Sequence, residues 1–144
     1  MLLELIKASI KEIAMKRVFE TVIIFFVLLN SAFAVDLSDI MKQMGSDFRS
    51  ITKAALTSNN SPESRAIALR LVESVELALQ ALPPAIDPSD LEKVAQYKLI
   101  MNELLNEAIQ LNKVFETEPL NKARALETLK KMGNIRKKGH DIFR

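Results

Sequence analysis

From Leu37 onward, apolar side chains recur at steps of three and four: Leu37, Ile40, Met41, Met44, Phe48, Ile51 and Ala55. No other feature constrains the fold as much. This spacing is one face of an α-helix and does not match the two-residue alternation of a half-buried strand. Three more such runs follow. Ala68, Leu71, Val72, Val75, Leu79 and Leu82 make the second, and Val94, Tyr97, Met101, Leu104, Ala108, Leu111 and Phe115 the third. Leu126, Leu129, Met132, Arg136, His140 and Phe143 make the fourth.

The punctuation between runs agrees with this reading. Asp36 is placed to cap the first helix, with Asp39 adding negative charge to its first turn. "TSNNSPES" breaks the chain, and Ser61-Pro62 is a cap followed by proline at the first helical position. Pro83-Pro84 stops the second helix, because proline disfavours helical backbone in the residue before it. "DPSDLEK" restarts, with Ser89 and Glu92 spaced as a capping box. "ETEP" separates the last two runs. Four helices of roughly 20–28 residues result, each about 30–40 Å long. Short connections make neighbours antiparallel, so the expected fold is all-α, an antiparallel up-down-up-down four-helix bundle. Gly133 and Gly139 lie inside the last helix and each costs about 1 kcal/mol against alanine, so its end calls for an anchor.

Ahead of the bundle, "MKRVFETVIIFFVLLNSAFA" has the three parts of a secretory signal. Met15-Lys16-Arg17 is basic, Val22 to Leu29 is unbroken apolar sequence, and Ala32-Phe33-Ala34 is the small-x-small pattern before a cleavage point. The apolar core is shorter than the roughly 20 residues of a membrane span. Residues 1–34 are therefore read as an extension plus signal peptide, with Met15 the true start and cleavage after Ala34. Export to the periplasm follows, with residues 35–144 as the functional domain and no membrane association after cleavage. A form tethered by the apolar run is the weaker alternative.

Composition removes many chemistries. The absence of cysteine excludes disulfides, a thiol nucleophile, thiolate metal sites and covalent haem attachment. A single histidine, His140, excludes sites built on two imidazoles within one chain. The net charge of +2 comes from 20 basic and 18 acidic residues interspersed as on a solvated surface, and gives no case for a nucleic-acid partner. Residues 35–144 hold 16 basic and 15 acidic residues and are close to neutral.

In the expected topology the start of the first helix and the end of the last share one end of the bundle. Met41 lies roughly 7 Å in from that end and His140 roughly 6 Å, at 1.5 Å per residue. A thioether and an imidazole at one level are a donor set for the axial positions of haem iron. Two plainer readings compete. A methionine at helical spacing is often core filler, and a histidine in a last turn is often a cation facing the helix dipole.

The two ends of the domain resemble the soluble cytochrome b562 family. "VDLSDIM" is similar to that family's opening segment, and "IRKKGHDIFR" to its closing one. "LPPAI" is similar to its Pro-Pro loop. The similarity spans nearly all of residues 35–144, in length and helix order. It implies a periplasmic electron carrier rather than an enzyme, with one non-covalent b-type haem per chain and Met41 and His140 as axial ligands. It also implies a monomer with a redox donor and acceptor that the sequence does not name. Arg136 matches the family's arginine at the haem edge, and Pro83 and Pro84 match the loop that walls its pocket. Leu37, Met44, Val94, Tyr97 and Arg144 complete the implied pocket, Arg144 near the propionates. Met44, one turn deeper than Met41, is an alternate thioether. Gly139 departs from the pattern, standing where an aromatic would be expected. The rival reading from another class is a haem-free periplasmic bundle acting as an interaction or stress-response protein.

Overall fold

A computed structural model describes residues 36–143 of the chain. The signal segment, its cleavage point and Arg144 lie outside the described residues. Four helices follow one another there: α1 (Leu37–Leu56), α2 (Pro62–Gln80), α3 (Leu91–Glu116) and α4 (Lys122–Phe143). No strand occurs among the described residues.

The helix starts are capped by side chains that satisfy otherwise orphaned amides. Asp36 accepts a hydrogen bond from the Ser38 amide at 2.9 Å, and Ser61 Oγ from the Ser64 amide at 3.2 Å, with Pro62 in the first turn. α1 closes through Ser58, whose φ of 53° lies in the left-handed region that commonly ends a helix. At α3 the expected capping box is not the one used. Asp90 is the cap, accepting from the Lys93 amide at 3.1 Å. Ser89 turns back instead and donates from its amide and hydroxyl to Asp87. A carboxylate next in sequence does the same work one residue later and adds charge at the positive end of the helix dipole.

Contacts between helix ends fix the directions. At one end, the Asn60 side chain donates to the Thr117 carbonyl at 2.9 Å, Arg65 pairs with Glu118, and Lys122 Nζ donates to the Leu56 carbonyl at 2.5 Å. At the other end, Tyr97 Oη donates to the Ala78 carbonyl at 2.8 Å, and the Tyr97 and Phe143 rings meet edge to face at 5.8 Å. Each helix therefore runs antiparallel to its sequence neighbours, and α4 runs antiparallel to α1. The Tyr97–Phe143 contact is the anchor that two interior glycines made necessary in α4.

The core is drawn from all four helices. Ile51, Leu71, Val75, Leu111, Phe115 and Met132 are its most deeply buried large apolar side chains. Burial of this kind contributes about 1.5–3 kcal/mol per side chain. Among these apolar groups lies one buried charge, Asp47. Its carboxylate accepts from Arg70 Nε at 2.9 Å, Arg70 Nη2 at 2.6 Å and Gln43 Nε2 at 3.0 Å. That pairing raises the pKa of the Arg70 guanidinium further. A bidentate carboxylate–guanidinium pair is directional, so it fixes the rotation of α1 against α2.

Candidate haem site at the seam between the first and last helices

The α1 stripe read from sequence divides into two lines in the structure. Ile40, Asp47, Ile51, Ala54 and Ala55 are buried, whereas Leu37, Met41, Met44 and Phe48 are half-buried and pack on the margin of the core. α4 divides likewise. Its buried line is Ala125, Thr128, Leu129 and Met132, continued by half-buried Ile135, Gly139 and Phe143. Arg136 and His140 are exposed beside that line. His140, read from sequence as part of the fourth stripe, is thus not buried in the core. The apolar stripe of α4 drifts toward α3 over its last turns, which leaves His140 on the flank that adjoins α1.

Both margins meet at one seam. The Arg136 guanidinium lies over the Phe48 ring, 5.2 Å from its centroid, a cation–π arrangement. A methyl group added at Gly133 would lie 4.0 Å from Phe48 Cζ, so Gly133 faces that ring. This pairing sets the register of two antiparallel helices. Met41 lies seven residues before Phe48, and His140 seven residues after Gly133. Two turns along each helix, roughly 10 Å, bring Met41 and His140 to one level. α1 and α4 also pack against each other less closely than the other neighbouring pairs. The seam is the most loosely packed of the four, which leaves it the least costly to open for a flat group between two helices.

Gly139 plays a different part from the one its position beside His140 suggested. An added methyl there would meet Ile100 Cγ2 at 3.5 Å, so Gly139 faces α3 rather than the seam. Pro83 is half-buried and Pro84 exposed. Val94 and Tyr97 line a separate cavity of about 200 Å³ with Leu79, Leu82, Pro88 and Lys98. Tyr97 joins the seam end only through Phe143, one turn beyond His140. Burial pushes its phenol up to about 12. The structure thus brings Leu37, Met41, Met44, Arg136 and His140 along one seam and sets Pro83, Pro84, Val94 and Tyr97 at the α2–α3 corner. Phe48, which the sequence reading left as core, is the residue it missed. Its place on the half-buried line with Met41 and Met44 is the signal in the sequence.

The chemistry of this donor set suits haem iron. A soft thioether and a neutral-nitrogen donor stand on facing helices with a guanidinium one turn away, and no thiolate or second imidazole competes. Among the described residues no three His, Cys, Asp or Glu side chains gather as another metal site. None of the described helices is long and apolar enough to cross a membrane.

The fold defines a class, the antiparallel four-helix bundles, in which cofactor sites are built between facing helices. The chain belongs to the cytochrome b562 family, whose model, Cytochrome b562, matches residues 36–144. This is a family of haem-binding electron carriers rather than of enzymes. Comparison with curated proteins and with solved structures gave no match.

Proposed function

We propose that this protein is a periplasmic b-type cytochrome that holds one non-covalent haem in the α1–α4 seam, with Met41 and His140 as axial ligands. The observation that supports this reading is the register set by Phe48 and Gly133, from which helix geometry puts a thioether and an imidazole at one level of the most loosely packed seam. When bound, the haem supplies a one-electron couple. Met41 contributes a soft donor that favours the reduced state, and His140 a stronger nitrogen donor. A haem held by these two donors would be suited to electron transfer. Leu37, Met44 and Phe48 exclude water from the seam on the α1 side. Arg136, held over Phe48, offers a charge-assisted contact to a propionate, as does Arg144 beyond it. Residues 15–34 direct export, and the carrier works as a monomer between a donor and an acceptor.

Haemin titration tests the assignment. The expected result is a sharp Soret band saturating at one equivalent, with His140→Ala and Met41→Ala each changing the axial-ligand spectrum. A Met44→Ala spectrum that changes in place of Met41→Ala would move the thioether one turn deeper. No band, or one indifferent to His140, would leave the haem-free interaction bundle as the better reading. Absorption spectra and N-terminal sequencing of exported protein test loading and cleavage after Ala34.

A further inference from the structure

Charge is even in number over this domain but not in placement. α4, residues 122–143, carries seven Lys and Arg against two acidic residues, a net +5. Residues 36–121 carry eight against thirteen, a net −5. Neighbouring groups neutralise only the flanks of α4. Lys138 lies 3.4 Å from Glu103 of α3, and Lys131 pairs with Glu127 at 3.2 Å. Lys122 donates to the Leu56 carbonyl, and Arg136 rests on Phe48.

Arg124, Lys130 and Lys137 remain, all exposed and none within ion-pair distance of a described carboxylate. Lys130 and Lys137 stand two turns apart on one line, and Lys137 is one turn from His140. Lys130 and Lys137 make no ion pair that holds the fold together, which leaves both ammonium groups available to a partner. Because the described residues are neutral in sum, attraction to a large polyanion such as a nucleic acid is weak beyond a Debye length of about 8 Å at physiological salt. What survives is short-range, one helix wide and oriented. That suits a compact acidic patch on a protein, where charge complementarity sets orientation and encounter rate more than affinity.

We propose that the outward face of α4, centred on Lys130 and Lys137, docks a partner protein through an acidic patch, and that this partner exchanges electrons with the bundle. The electron-exchange half rests on the haem reading above. A partner on this face is separated from the seam by about one helix diameter, roughly 10 Å.

The test is a titration of the ¹⁵N-labelled protein, with and without haemin, with a decaglutamate peptide at low salt. Amide shifts are expected along Lys130–Lys137, with affinity falling about tenfold in high salt and in the Lys130→Glu/Lys137→Glu double variant. Lys113→Glu on α3 should leave affinity unchanged, and circular dichroism should show the double variant folded. Shifts that are absent, or that fall on α2 or α3, would overturn the proposal. Phosphatidylglycerol vesicles that bind more tightly than the peptide and lose binding in the same double variant would overturn it in favour of a lipid surface. Shifts that grow with protein concentration alone would overturn it in favour of a second copy. Peptide binding without a Soret band would keep the docking face and remove the haem reading; a Soret band without peptide binding would do the reverse.

Discussion

Asp47→Asn keeps the shape of a buried side chain and deletes its charge. The Asp47 side chain is 3% exposed and accepts three hydrogen bonds, two of them from Arg70. Hydrogen bonds to charged groups contribute about 1.5–3 kcal/mol each, and breaking a buried ion pair costs about 3–5 kcal/mol. Arg70 is 47% exposed, so water compensates part of what it loses. The expected destabilisation is about 2 kcal/mol, a large share of the roughly 5–15 kcal/mol typical of a domain. Urea unfolding followed by circular dichroism measures it as a lower midpoint at unchanged slope. Arg70→Met should cost at least as much, because it strands the carboxylate. The double variant Asp47→Leu/Arg70→Met should be more stable than the two single losses add up to. A loss below about 0.5 kcal/mol for Asp47→Asn would refute the reasoning and make this a solvent-screened surface pair.

Three further outcomes follow from the geometry. Phe143→Ala removes the edge-to-face contact with Tyr97 and should cost about 1 kcal/mol, with faster amide exchange confined to the last turns of α4; unchanged exchange there would count against the anchor. Phe115→Ala opens a cavity at a fully buried position and should cost about 3–5 kcal/mol in thermal or chemical denaturation. Because burial raises the Tyr97 phenol to about 12 from 10.0, the unfolded chain loses that proton first. Stability from this source is complete below pH 10 and is lost as pH rises toward 12. Tyr97 is the sole tyrosine, so phenolate absorbance reports it directly, and a folded-state midpoint near 10 would contradict the burial.

The helices were legible because their starts and stops use local chemistry. Asp36, Ser61-Pro62 and Pro83-Pro84 act on their own few residues, and every apolar position read for α3 from Tyr97 to Phe115 is buried. Rotation was less legible. A stripe read at one-residue precision does not say which of two adjacent lines faces the core and which faces a neighbour, and that choice set Met41 and His140 on a margin. The choice depends on partners distant in sequence, such as Arg70 for Asp47 and Ile100 for Gly139. Asp47 itself carried a signal: it stands seven residues after Ile40 and four before Ile51, on the helix line of the core. Of the candidate site, the two proposed donors and Arg136 were nominated from the two ends of the domain, while Phe48 needed the seam to give it a role.

The seam also has a meaning in polymer terms. It joins the first described helix to the last, so its two sides are farther apart along the chain than those of any other neighbouring pair, and they pack least closely. Bringing such distant segments together carries the largest loop-closure entropy in the bundle, with the fewest local contacts to offset it. On the proposed ligation, a haem held by Met41 on one side and His140 on the other would act there as a removable staple, closing nearly the whole folded span into one ring. As with a disulfide across a long loop, much of its stabilisation would come from what it denies the unfolded chain.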